Sequence, residues 1–173
     1  MGTALNKLFM SGISKEKEFE DAVGQYGDLI NKICFYFSDD TVEFNDLRQE
    51  VLFNIWRGWD HFLQNSKRST WIYRVSFNTC ISFQRKEKKF KKTLPLENVL
   101  ENRVDDSEDK KDKYKVLFSL IKMLPYNDRA ILLMWLDEKS YEEISELTGL
   151  NRNTVATRLK RIKEKLVKMN TEN

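Results

Sequence analysis

Between Asn151 and Lys168 the chain carries Arg152, Arg158, Lys160, Arg161, Lys163, Lys165 and Lys168 against a single acid, Glu164. Cations concentrated on one short segment suit a phosphate-lined groove, whatever the net charge of the whole chain. Arg152, Asn153, Thr154, Thr157, Arg158, Lys160 and Arg161 add amide and hydroxyl groups to those cations. Phosphate contacts would supply salt-sensitive affinity, and side chains reaching base edges would supply specificity. An arginine fork pairs bidentately with guanine, and a threonine can contact a methyl group. Val155, Leu159, Ile162 and Leu166 recur at three- and four-residue steps, which predicts a helix with an apolar inner stripe and an outward basic face.

The residues before this segment explain how it would be held. Ser140 is a good N-cap, and Glu143 three residues on can close a capping box. Ile144 and Leu147 form an inner face. Gly149 stands where a first helix must end in a left-handed residue, a conformation glycine adopts without steric cost. Leu150 then fills the corner and Asn151 can cap the next helix. Helix, short glycine-containing turn and longer helix form the DNA-reading helix-turn-helix layout. The alternative is a solvated basic helix in a small helical hairpin.

Composition sets the frame. Of 173 residues, 40% are hydrophobic, 12% aromatic and 33% charged, with 6 Gly, 2 Pro and a net charge of +3. That is enough apolar material for real cores. The scarcity of glycine and proline favours long helices with few breaks. An all-α chain of two small helical domains joined by a flexible linker is expected. Domain one would span residues 1–90, the linker 91–112 and domain two 113–173. The linker is acidic from Glu97 to Asp112, with Val99, Leu100 and Val104 as its main apolar residues.

In the first domain, Phe19, Val23, Tyr26, Ile30, Ile33 and Phe37 predict a helix over 15–37. Leu47, Val51, Leu52, Ile55, Trp56 and Trp59 predict another, starting near Asn45 or Asp46. A loop over 61–69 precedes a third helix over 70–88, with Ile72, Val75, Thr79 and Phe83 inward. In the second domain, Tyr114, Leu117, Ile121 and Leu124 mark a helix stopped by Pro125. Asn127 or Asp128 can start the next.

Other functions find little support. The sequence has no Gly-rich phosphate loop, HExxH pattern, metal-spaced Cys/His set or nucleophile motif. No catalytic residue, cofactor or metal is expected, and the lone His61 falls in a polar loop. Cys34 and Cys80 each sit in an apolar pattern, as reduced core thiols do. No apolar run is long enough to span a membrane, and Met1 to Ser14 lack the layout of a secretory signal, so a cytoplasmic location is expected.

The chain resembles the extracytoplasmic-function (group IV) sigma factors of the sigma-70 family, from about Lys15 to Lys168. Leu124-Pro125, Arg129, Tyr141, Ile144, Gly149, Asn151, Thr154-Val155, Arg158-Leu159 and Arg161 match the family's region-four pattern. This implies reading of the minus-thirty-five promoter element by the basic helix. Asp46-Leu-Arg-Gln-Glu-Val-Leu-Phe-Asn-Ile-Trp56 resembles the helix by which the family binds core RNA polymerase. Asp46, Gln49, Glu50 and Asn54 are left to face the clamp helices of the largest subunit. Trp71-Ile-Tyr-Arg-Val-Ser-Phe-Asn78, running on to Arg85, resembles the segment that opens and reads the minus-ten element. Melted DNA needs aromatic surfaces for unstacked bases and cations for the backbone. Lys67, Arg68, Trp71, Tyr73, Arg74, Phe77, Asn78, Arg85 and Lys86 offer those types. Phe77, Ser82 and Arg68 depart from the family pattern.

The resemblance implies a binding subunit, monomeric when free, that directs promoter-specific initiation with core polymerase and promoter DNA as partners. It further implies a contact with the polymerase flap and an anti-sigma factor, often membrane-anchored. Two rival readings are a stand-alone duplex-DNA regulator, which would normally need dimerisation, and a pure interaction module.

Overall fold

The computed structural model describes residues 2–62, 67–91 and 109–171, with side chains over 15–62, 67–86 and 116–171. The described residues form seven α-helices and one 3-10 turn, and no strand appears among them. The helices are α1 (Gly2–Phe37), α2 (Thr41–Gly58), α3 (Arg68–Lys91), α4 (Asp109–Lys122), α5 (Tyr126–Leu136), α6 (Tyr141–Thr148) and α7 (Arg152–Thr171). The 3-10 turn, Trp59–His61, follows α2. The chain divides into two compact units, Met1–Thr79 and Cys80–Asn173, with the boundary inside α3. The expected domain end at residue 90 falls at the end of that same helix. Of the expected linker, residues 92–108 lie outside the described residues, while 109–112 form the first turn of α4.

Several helix starts differ from expectation, among them α3, which begins at Arg68 and not at residue 70. α1 begins at Gly2, well before Lys15. α2 begins at Thr41, because Asp40 is extended (φ −141°) and its carboxylate accepts from the Glu43 N–H at 2.8 Å. Asn45 and Asp46 therefore lie inside the helix. α5 begins at Tyr126 behind Pro125, ahead of Asn127 and Asp128 and without a side-chain cap. Proline supplies a fixed φ there and has no N–H to orphan.

Unit one packs α1 against α2 and seats the first half of α3, up to Thr79, on them. Ile30, Ile33, Cys34 and Phe37 of α1 meet Leu47, Val51 and Ile55 of α2 in a buried core. Phe19, Val23 and Tyr26 of the expected α1 stripe are only half-buried. Phe37 reaches α3 through an edge-on contact with Phe77, ring centroids 5.9 Å apart. Between α1 and α2, the Arg48 guanidinium donates to Asn31 Oδ1 at 2.8 Å.

The inward face of α3 is wider than the sequence pattern suggests. Ile72 and Thr79 are buried as expected, but so are Tyr73, Ser76, Phe77, Cys80 and Gln84, while Val75 and Phe83 are half-buried. Ser76 is accommodated by donating its hydroxyl to Ile72 O at 2.8 Å. Cys34 and Cys80 are both buried free thiols.

Unit two is built around α5, buried from Arg129 to Met134. Against it lie Leu120, Ile121 and Leu124, then Ile144 and Leu147 of α6, then Val155, Leu159 and Ile162 of α7. Leu117, expected inward on α4, is exposed beside Val116. Arg129 is buried because its guanidinium donates to Leu124 O at 3.3 Å and to Lys122 O, satisfying carbonyls that α4 leaves open at its end. No helix of the described residues is long and apolar enough to cross a membrane.

Candidate nucleic-acid interface

The helix-turn-helix forms because each local signal closes a specific bond. Ser140 N donates to Glu143 Oε2 at 2.9 Å, and Glu143 N donates to Ser140 Oγ at 3.2 Å, completing the capping box. The bond from the Ser140 backbone, followed by that from its hydroxyl, lowers the Glu143 carboxyl below its ordinary pKa. Gly149 takes φ +73° and donates its N–H to Ser145 O at 2.8 Å. Ser145 also donates its hydroxyl to Leu150 O, tying the turn back onto α6. Asn151 then caps α7, its Oδ1 accepting from Thr154 N at 2.8 Å and from Thr154 Oγ1 at 2.9 Å.

This architecture buries Val155, Leu159 and Ile162 and turns the first three turns of α7 outward. Asn151, Arg152, Asn153, Thr154, Thr157, Arg158 and Arg161 together line a concavity of about 710 Å³. All the predicted minus-thirty-five residues are on its wall except Lys160, which is exposed and ion-paired with Glu164 at 3.9 Å. Asn151 joins the set, although the sequence marked it only as a cap.

Two of the three arginines in this wall are held from other helices. Arg152 donates through Nε to Glu142 on α6, and this bond is the main reason the Glu142 carboxyl sits below its ordinary pKa. Arg158 Nη1 lies 3.5 Å from Asp128 Oδ1 on α5. Further along α7, Lys163 stacks over Trp135 at 3.6 Å, so it braces the helix.

On α3 and the residue before it, the predicted minus-ten residues separate into two groups, with Arg85 and Lys86 lying beyond the Thr79 end of unit one. Lys67, Arg68, Arg74 and Asn78 are exposed, and Trp71 is half-buried. Arg85 and Lys86 are exposed further along α3. Tyr73 and Phe77 are only 5% and 1% exposed and stack on each other at 5.1 Å. Both belong to the core, which corrects their placement on a base-stacking surface. Their positions on α3 face α1, and Phe37 fills the space opposite.

Trp71 sits in an aromatic cluster with Trp59 at 5.9 Å and Phe62 at 5.2 Å. Phe19 extends the cluster, meeting Trp56 at 5.1 Å and Trp59 at 5.6 Å. Arg68 lies over Trp59 at 5.2 Å and pairs with Glu18 at 3.7 Å.

On α2, the inward stripe leaves Asp46, Gln49 and Glu50 exposed on the opposite face. Asn54 is half-buried and turned to α3, where its amide donates to Thr79 Oγ1 at 3.3 Å. Its predicted place on the open face is taken by Phe53, 55% exposed. The spacing of Asp46, Gln49, Glu50 and Phe53 puts them on one row. The apolar member was missed because Phe53 adjoins Leu52 in a run that reads as core.

Comparison with known proteins bears on both units. The family model for sigma-70 region 2 matches residues 22–90, and that for sigma-70 region 4 matches residues 115–166. The extracytoplasmic-function RNA polymerase sigma factor SigW of Bacillus subtilis is 28% identical over 166 residues, 87% of each chain. RNA polymerase sigma factor SigV of the same organism is 35% identical over 97 residues, 53% of this chain and 54% of its own. Among solved structures, the sigma factor RpoE in complex with the anti-sigma factor NepR from Bartonella quintana has a similar fold. Its TM-score is 0.68 at 21% identity, covering 90% of this chain and 98% of RpoE. With both sigma-70 regions matched and their helices formed, the chain belongs to the extracytoplasmic-function sigma factors of the sigma-70 family, RNA polymerase subunits that direct promoter-specific transcription initiation.

Proposed function

We propose that three faces divide the work of initiation. The exposed row Asp46, Gln49, Glu50 and Phe53 on α2 docks on core RNA polymerase. Lys67, Arg68, Trp71, Arg74 and Asn78, followed along α3 by Arg85 and Lys86, receive the non-template strand of the minus-ten element. The α7 face of Arg152, Asn153, Thr154, Thr157, Arg158, Lys160 and Arg161 enters the major groove at minus thirty-five. The observation that carries this reading is the concavity at the start of α7, where arginine, asparagine and threonine side chains converge. Those types combine phosphate attraction with base-edge donors and acceptors.

The protein acts by binding, not as an enzyme, and needs no metal or cofactor. It works in the cytoplasm, as a monomer until it joins the polymerase. The residue ranges 1–90 and 113–173 serve as the two functional modules, with the intervening acidic segment as connector. Because RpoE was solved with NepR, an anti-sigma factor is the natural regulator of this chain as well. Co-purification with core polymerase tests the docking face. Glu50→Lys should abolish co-purification while leaving the chain folded. Retained binding would place the docking face elsewhere.

A further inference from the structure

Glu142 and Asp128 lie outside the DNA-reading set, yet each holds one of its arginines. Glu142 is in the first turn of α6 and Asp128 in the first turn of α5, so the two carboxylates approach the concavity from different helices. Glu142 engages Arg152 through Nε, leaving the other N–H donors of the guanidinium fork for a ligand. Asp128 stands 3.5 Å from Arg158 Nη1, with both side chains only about one-third exposed. Arg161, the third arginine of the wall, has no ion pair among the described residues.

Resting on the sigma-factor reading, we propose that Glu142 and Asp128 are positioning residues that make promoter recognition selective by restraining Arg152 and Arg158. A free arginine pairs with any phosphate at any register, and such contacts supply non-specific affinity. A held arginine donates along one direction. On DNA in the correct register, each guanidinium can keep its carboxylate and use its remaining donors on the DNA. On other DNA it must swing toward whatever phosphate is nearest, breaking the pair and bringing the carboxylate close to a like charge. The cost therefore falls mainly on non-promoter DNA. The same restraint limits the rotamers that Arg152 and Arg158 would otherwise lose on binding.

The experiment uses the full chain bound to core polymerase. One probe is a promoter duplex recovered from a random pool by the wild-type holoenzyme, and the other is its scrambled counterpart. Affinity is measured over a range of salt concentrations for wild type, Glu142→Gln and Asp128→Asn. Each variant should bind the scrambled duplex about two- to fivefold more tightly, in line with the modest strength of exposed pairs. Its salt slope on that duplex should steepen by about one unit as the released arginine takes up a phosphate. Promoter affinity should not rise, so discrimination falls. In an Arg152→Gln background, Glu142→Gln should have no further effect. Unchanged discrimination and salt slope in both variants would overturn the inference while leaving the sigma-factor reading intact. If the wild-type holoenzyme recovers no duplex at all, that reading fails and this inference fails with it.

Discussion

Gly58 lies so close under Trp71 that a Cβ at that position would meet the indole Cζ2 at 3.0 Å. Trp71 has little room to yield, since Trp59 and Phe62 pack on it at 5.9 and 5.2 Å. The last residue of α2 thus sets where the first turn of α3 carries its tryptophan. Gly58 has φ −85° and ψ −5°, on the right-handed side that L-residues also adopt, so its substitution is mainly a matter of space. Gly58→Ala should gain at most about 1 kcal/mol of helix propensity and lose about 1–3 kcal/mol to overpacking. The expected outcome is a lower melting midpoint with altered tryptophan fluorescence. An unchanged spectrum would show that the indole is not held this way.

Phe77 illustrates a core role where recognition of bases was expected. It is 1% exposed and packs edge-on against Phe37. Phe77→Ala should cost about 3–5 kcal/mol, enough to unfold much of the first unit. Phe77→Leu should restore most of that stability and leave minus-ten opening intact. If Phe77→Leu instead folds normally and fails only in promoter opening, Phe77 acts on DNA after all.

What the sequence made legible was local. The Ser140–Glu143 box, the left-handed Gly149 and the Asn151 cap each depend on residues within three or four positions of one another, and all three formed. The α2 start was misplaced because Asp40, Asn45 and Asp46 are all competent caps, and only the extended backbone at Asp40 decides among them. Tyr73, Phe77 and Asn54 were misjudged for a different reason. Their surroundings come from α1 or from the partner face of α3, so their burial depends on tertiary packing that period counting along one helix does not register. Phe53 shows the converse, an aromatic in an apolar run that packing leaves outside.

The capping box should be acid-sensitive in a definite direction. Hydrogen bonds from Ser140 lower the folded-state pKa of Glu143 below that of an ordinary glutamate. A depressed carboxyl contributes stability above that value, which is lost as pH falls through the lowered one. The melting midpoint of wild type should exceed that of Glu143→Gln at neutral pH, and the gap should close below about pH 4.5. A gap independent of pH would remove the carboxylate from the cap. Ser140→Ala, which deletes the reciprocal acceptor, should cost about 1 kcal/mol at neutral pH.

On α2, Phe53 should matter for docking as much as its acidic neighbours. An exposed aromatic flanked by carboxylates has the character of an interface anchor inside a polar rim. Phe53→Ser should weaken core-polymerase binding by about tenfold or more and should not lower the melting midpoint, because the ring is 55% exposed. Asn54→Ala should do the reverse, losing about 1 kcal/mol of fold stability with its bond to Thr79 and little docking affinity. The opposite pattern would return Asn54 to the docking row.

The most direct test is reconstituted transcription from the selected promoter duplex with purified core polymerase. Addition of the full chain should give a transcript of defined start that core polymerase alone does not make. Arg161→Ala, which removes the concavity arginine without an ion-paired carboxylate, should weaken promoter binding by about 1–3 kcal/mol and diminish that transcript accordingly. A folded chain that yields no promoter-specific transcript, or one whose output is indifferent to the α7 face, would contradict its role as a promoter-reading subunit.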